Sequence, residues 1–445
     1  MNYPVWDITT IGGGSLIASI AILHVLISHF AVGGGFFLWI TDRQAARASD
    51  QQLADFVRKH VRFFLLLTMV AGGMTGVGIW FVISLVQPSA TSSLIHTFVF
   101  AWAIEWVFFL VEIVALLVYH YRFDALTERD RLRVSFIYLL SAWLSLAVIN
   151  GMLSFMLTPG RWVETHSIWD GFFNPTYPAS LAYRSCMAMT LAGLFGYITA
   201  LRNHDDAFRL RLVAYCSKWL VVPIVGLVPS ALWYYSSVPE ETRTTSFALN
   251  PQTTPFVGLL FVSSTLIFLA GILMMRRWPL GVQRLITVFL VVIGVSWIGS
   301  FEYVREISRK PFVISGFMYD SAIRVDQLPE LDRDGILRHA GWSSLKMVTK
   351  GHRAEAGREI FRLECQCCHT IHGIRNDIAL RVQRFSYAGL LTQLSSQGNA
   401  QNFMPPFIGT QEEKEALAYY LTTVVNGGAV DDTSQATFRN QSLLH

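Results

Sequence analysis

Charge is what this chain has least of. Asp, Glu, Lys and Arg make up 15% of its 445 residues, where an ordinary soluble domain carries about a quarter. That excludes a chain solvated by water along its whole length and points to a bilayer. The deficit is uneven, with long apolar runs filling the sequence to about residue 303 and polar residues returning after about 310. Cysteine is scarce too. Five thiols are too few for a disulfide scaffold; three cluster at 365, 367 and 368, and Cys186 and Cys216 fall in or beside apolar runs. The net charge is only +4, with no basic stripe interleaved with aromatics, which excludes nucleic acid as a partner. No basic n-region with a cleavage site opens the chain, so the first apolar run is expected to be retained.

What is present is a series of spans. A membrane-crossing helix needs roughly 20 apolar residues. Eight runs qualify, at about 14–40, 63–87, 96–121, 134–157, 179–201, 219–236, 256–275 and 285–305. The sixth is short and carries Pro223 and Pro229, which predicts a kink. Basic residues collect in alternate loops: Arg43, Arg47, Arg58, Lys59 and Arg62; Arg122, Arg129, Arg131 and Arg133; Arg202, Arg209, Arg211 and Lys218; Arg276, Arg277 and Arg284. The other loops hold Arg161 and Arg243 as exceptions. By the positive-inside rule the basic loops are cytoplasmic. Both termini are then outside, giving an all-α, N-out and C-out transmembrane bundle. Gly33 to Gly35 and the Gly72/Gly76 pair predict close helix packing.

The C-terminal part reads differently. Cys365, Cys368 and His369 in "GREIFRLECQCCH" form the C-x-x-C-H pattern of c-type haem attachment. Two thiols three positions apart bond the porphyrin, and His369 becomes the proximal iron ligand. Such haem is attached on the outer, periplasmic face, the side the charge pattern assigns to this end. Met404 in "NFMPPF" is the expected sixth ligand, with Pro405 and Pro406 stiffening its loop. His372 competes for that role but lies close in sequence to His369. Phe361, four residues before Cys365, is placed to pack on the haem edge. A helix in "EEKEALAYYLTTVV" closes the module. Gly357, Phe361, the C-x-x-C-H, the Met-Pro segment and that helix together resemble a class I monohaem cytochrome c over residues 346–430. The bland reading of the cysteine pair is a metal or redox site, and that of Cys367 an incidental thiol.

Ionisable residues inside spans are costly and need a reason. His24 and His29 lie in the first run, Glu105 and Glu112 on one face of the third, Arg184 in the fifth, and Glu302, Arg305 and Glu306 at the end of the eighth. Helix rise puts His24 roughly 15 Å and Glu105 roughly 13 Å below the outer surface, with Glu112 at about 24 Å and Glu306 at the rim. His24, Glu105 and Glu306 are expected to converge in the outer half of the bundle. The bland readings are a satisfied core histidine and, for the last three residues of the eighth run, a solvated helix end.

"IASIAILHVLISHFAVGGGFFL", "AIEWVFFLVE", "INGMLSFMLTPG" and "REISRKPF" resemble, in order, stretches of subunit I of the cytochrome bd-type quinol oxidases, over roughly residues 1–315. The resemblance implies that His24 and Glu105 serve an oxygen-reducing haem, that Glu306 serves its high-spin neighbour, and that Glu112 carries protons, at an interval one residue shorter than the family's. It also exposes departures. In "SLAYRSCMAMT" Arg184 and Ser185 stand where the family's low-spin haem has its His, which makes Arg184 a cofactor-side candidate. "TTPFVGLLFV" has no Met, and the quinol-side outer loop shrinks to about 237–255. His29, His96 and His166 are the candidate substitutes for the missing ligand.

The expected layout is a haem-binding bundle over 1–310, a linker over 311–345, a periplasmic cytochrome c domain over 346–435 and a tail over 436–445. The linker is expected along the outer surface. The function this implies is electron transfer between one covalent haem c and two non-covalent haems, b and/or d, in a multi-pass protein of a bacterial inner membrane, ending in oxygen reduction. The alternatives are a haem-bearing anchor that relays electrons for a larger periplasmic complex, and a quinol dehydrogenase feeding a periplasmic acceptor. Partners implied are a second membrane subunit, a periplasmic cytochrome c or redox complex, and quinol.

Overall fold

The computed structural model describes residues 3–244, 253–309, 313–374, 376–396 and 404–430. The tail expected over 436–445 lies outside them, as do residues 245–252 of the 237–255 loop, Asn402 and Phe403 of the Met404 segment, and Lys310, Pro311 and Phe312. Among the described residues the chain is helical, with no β-strand. Eight long helices carry the eight apolar runs: α1 (Gly13–Ala48), α2 (Gln51–Val86), α3 (Val99–Tyr121), α4 (Glu128–Phe155), α5 (Tyr177–Ala200), α6 (Asp206–Ser237), α7 (Thr254–Met274) and α8 (Leu280–Arg309). Asp50, Thr127 and Asp205 start α2, α4 and α6 by accepting backbone N–H groups, as N-caps do. Helix α6 runs on through Pro223 and Pro229.

Seven of the eight are long and apolar enough to cross a membrane. The exception is α5, and burial explains it. Its 24 residues reach about 36 Å, enough for a hydrocarbon core of about 30 Å. It is buried along most of its length, with Ala179, Ala188, Ala192, Gly193 and Gly196 facing neighbouring helices. A helix packed in protein needs small residues more than apolar ones. A Cβ on Gly33 of α1 would stand 1.8 Å from the Ala188 carbonyl oxygen, one on Gly34 2.1 Å from the Phe64 ring, and one on Gly193 2.5 Å from Leu220. The predicted packing at Gly33 to Gly35 is therefore real, and it fixes the crossings of α1 with α5 and α2.

The chain divides into two compact units. One comprises Ile20–Ile79 and Ile95–Ser308, the body of the bundle. Its core gathers Phe30, Phe37, Phe64, Met187, Leu191, Leu220 and Trp297. Outward faces of α2, α3 and α6 expose Val70, Met74, Phe100, Trp106, Val225 and Leu232, as lipid-facing surfaces do. Helix α2 holds a wide π turn over Leu66–Gly72, which resets the face presented by the residues after it.

The other unit comprises Met1–Ser19, Trp80–Leu94 and Arg309–His445. In it, α9 (Arg353–Ile360) continues through a π turn, Phe361–Cys365, into the C-x-x-C-H. Helix α10 (Tyr387–Ser395) and the closing helix α11 (Gln411–Tyr420) follow. Helices α9 and α11 cross at Gly357, where a Cβ would stand 2.2 Å from the Ala416 carbonyl oxygen and 2.6 Å from Tyr420. Ile360, Phe361, Leu363, Leu391 and Leu417 form the core, joined by Ile323, Leu331, Ile336 and Leu337 from the stretch before residue 345. Two short helices, Leu328–Asp334 and Ile336–His339, carry part of that stretch. The buried Glu413 ties it down by accepting from the N–H groups of Ile336 and Leu337 at 2.9 and 2.8 Å.

Candidate functional site

In the C-terminal module Cys365 and Cys368 form no disulfide. The His369 ring is buried, and its Nδ1 donates to the Asn376 carbonyl at 3.0 Å. Burial pushes this imidazole down to about 4, so it is neutral at pH 7. With Nδ1 carrying the proton, Nε2 offers a lone pair and has no hydrogen bond among the described residues. This is how a metal-binding histidine is held: the second nitrogen donates to a carbonyl and the first is left for the metal. Asn376 clamps the same turn a second time, donating from Nδ2 to the Cys368 carbonyl at 3.0 Å. His372, the competing ligand, points its Nε2 at the Val425 carbonyl, 3.2 Å away.

Met404 is half-buried in an extended stretch ahead of Thr410, the N-cap of α11. That stretch is fastened to the motif: Ile408 N–H donates to the Glu364 carboxylate at 3.2 Å, and Tyr319 OH to the Pro406 carbonyl at 2.5 Å. Phe361 is buried against Tyr420, ring centroids 6.3 Å apart. Two carboxyls sit close to the thiols. Burial raises Asp320 to about 7 although it accepts from Ala322 and Ile323, and burial lifts Glu364 well above the usual carboxylate range.

Inside the bundle His24 repeats the pattern. Its Nδ1 meets Thr75 Oγ1 at 3.2 Å, and that hydroxyl donates onward to the Ala71 carbonyl at 2.7 Å. The threonine therefore accepts from Nδ1, leaving Nε2 without a hydrogen bond among the described residues. Gly76 gives the ring room, since a Cβ there would stand 3.2 Å from His24 Cε1. Glu105 accepts from Ser145 Oγ at 3.0 Å, and Glu112 lies on the same face of α3 two helical turns deeper and near the same hydroxyl.

A third cluster was only partly foreseen. His29 is buried; its Nδ1 donates to the Val25 carbonyl at 2.9 Å and its Nε2 lies 3.4 Å from Arg184 Nη1. Arg184 is 2% exposed, 3.6 Å from Glu302 Oε1, and stacks over Phe301 at 4.9 Å. Glu302 takes Arg305 on its other oxygen at 2.6 Å. Glu302 is thus buried between two guanidiniums, where a solvated helix end was the bland expectation; one turn of α8 carries it inward against α5. Both ring nitrogens of His29 are engaged, and Arg184 faces a carboxylate. Glu306 is half-buried beside Arg305 at the end of α8. His96 and His166 are exposed, His166 in left-handed backbone with φ 53° and edge-on to Trp162.

These positions test haem ligation by chemistry. His369 and His24 fit, each with one nitrogen held and the other uncommitted. The residues at the Arg184 position do not fit a low-spin haem ligand set, because a guanidinium has no lone pair to give. Sequence reasoning missed Thr75 and Ser145. Each is one hydroxyl among several in its helix, and only its partner marks it out, His24 for Thr75 and Glu105 for Ser145.

No family model and no curated protein matches this sequence. Among solved structures the fold is similar to the bd oxidase from Geobacillus thermodenitrificans, with a TM-score of 0.61, 15% identity, 69% of this chain covered and 88% of that one. The likeness is one of fold, an all-helical membrane bundle.

Proposed function

We propose that this chain is an electron-transfer protein of bd-oxidase type that links a c-type haem in its C-terminal module to non-covalent haems in its helical bundle. One observation carries the reading. Two histidines, His369 in one unit and His24 in the other, each have Nδ1 held and Nε2 open, in a chain whose fold is similar to a bd oxidase.

Bound haem would supply one-electron chemistry and, where a coordination position stays open, oxygen binding. The chain's own residues do the rest. Cys365 and Cys368 would hold the porphyrin of the module, and His369 and Met404 would be the ligands of its iron. In the bundle His24 offers a ligand kept in one tautomer by Thr75, with Glu105 and Glu306 as carboxylates for the haem pair. Glu112 and Glu105, one above the other on α3 around Ser145, hold and pass protons from the deeper side. Arg184, Glu302 and Arg305 fill the place of a third haem with an ion-pair network, which removes the quinol-side entry and favours a c-type donor. The segment before α1 and the C-terminal module belong to one compact unit, which supports both termini lying on the same, periplasmic side. A second membrane subunit and a periplasmic cytochrome c are the partners this role requires.

The test is a pair of variants of the full-length protein. His24→Ala removes the non-covalent haem spectrum and leaves the c-type spectrum. His369→Ala does the reverse, and also abolishes oxygen uptake driven by reduced cytochrome c. Unchanged spectra in both would overturn the assignment. Carbon monoxide binding to the reduced protein separates an oxidase from a relay whose haems are all doubly liganded.

A further inference from the structure

Ahead of α1 the chain runs from Tyr3 to Gly12 without a helix, yet its backbone is closely engaged. Thr9 O accepts from Ile371 N–H at 3.0 Å and Thr10 O from Ile374 N–H at 3.1 Å. Gln366 Nε2 donates to the Trp6 carbonyl at 2.9 Å, and the Arg362 guanidinium to the Val5 carbonyl. Arg358 pairs with Asp7 at 2.6 Å. Packing is equally close. A Cβ on Gly373 would stand 2.2 Å from Thr10 O, and one on Gly12, where φ is +79°, 2.8 Å from Thr370. On its other side Trp6 donates its backbone N–H to the Leu85 carbonyl at 2.9 Å, and its ring meets Phe81 edge-on at 6.4 Å. All these residues belong to one compact unit.

The loop that this segment grips begins at His369. It needs an outside hold, because His372 and Asn376 both sit in left-handed backbone, with φ 50° and 49°, a conformation that is costly for non-glycine residues. Asn376 is the residue whose carbonyl orients the His369 imidazole.

We propose that residues 5–12 form a strap that positions His369 by bracing the 369–377 loop, and that fastens the C-terminal module to the ends of α1 and α2. The module then works as a docked redox centre rather than one swinging on a tether. Thr9 and Thr10 act through their carbonyls, and Trp6 anchors the strap on Phe81 and Leu85. Asp7 closes it with Arg358. The positioning role rests on the c-type reading of the module; the docking itself does not.

Hydrogen exchange on the full-length protein in nanodiscs reads the strap directly. The amides of Ile371 and Ile374 are expected to exchange slowly in the wild type. Asp7→Lys, which sets two positive charges against each other, is expected to speed them severalfold and shift the midpoint potential of the c-type haem, with exchange in α3 to α8 unchanged. Adding Arg358→Glu to the same chain should restore both. Trp6→Ala provides a second route to the loosened state if the charge change is absorbed locally. Fast exchange at 371–374 in the wild type, or slow exchange that neither variant alters, overturns the strap. A haemochrome assay on the same samples keeps the two ideas apart. Absence of haem c with responsive exchange removes the functional reading and the positioning role and leaves the docking, whereas haem c whose potential ignores a loosened strap refutes the positioning role.

Discussion

At the scale of single residues the account turns on which nitrogen of a histidine is free. Thr75 and the Gly72 backbone both engage the His24 ring, so Thr75→Val removes one of its two partners, at a cost of about 1 kcal/mol. The expected outcome is weaker retention of the non-covalent haem and a higher midpoint potential, since a hydrogen-bonded imidazole is the stronger donor; redox titration followed optically checks both. Asp320 makes a pH prediction. Burial raises this carboxyl from 3.8 to about 7, so the folded module binds the proton more tightly than the unfolded chain. Its stabilising contribution is full below the lower value and is lost as pH rises through the upper one. Asp320→Asn keeps an oxygen for the N–H groups of Ala322 and Ile323 and should remove this part of the slope, measured as loss of the module's haem-region circular dichroism on heating at several pH values. His24, His369 and the C-x-x-C-H were legible in the sequence because each is chemically expensive or patterned where it stands. Thr75, Ser145 and the strap carbonyls were not, since a hydroxyl or a backbone oxygen gains meaning only from what folding sets opposite it.

Among elements, the crossing of α9 and α11 is sharply determined. Gly357 lets the two backbones approach to where no side chain fits. Gly357→Leu is expected to destabilise the module by about 1–3 kcal/mol, as overpacking does, seen as a lower denaturation midpoint for the c-type spectrum with the bundle's helical signal intact. An unchanged midpoint would contradict the crossing. The eight helices were legible because apolar runs of bilayer length admit few other structures. Helix α5 shows where that logic thins: protein surrounds it, so its sequence carries small and polar residues and an arginine, and its run at 179–201 is less apolar than those of the other seven. The stretch before residue 345 was read as a surface linker, yet Ile323, Leu331, Ile336 and Leu337 enter the module's core. Short, irregular segments show no period from which burial can be read.

For the whole molecule, the charge of alternate loops predicts both termini on one side, and the described residues before α1 share one compact unit with those after Ser308. The fold likeness to a bd oxidase covers 69% of this chain, and within the bundle Arg184, Glu302 and Arg305 form a buried ion-pair network. The proposed function requires two classes of haem site in one polypeptide, and haem stoichiometry tests that most directly. Purified protein should be assayed as the pyridine haemochrome before and after acid–acetone extraction. The account predicts one haem that stays with the polypeptide with a c-type spectrum, and two that leave with the solvent. A c-type spectrum alone, with nothing extracted, would contradict it.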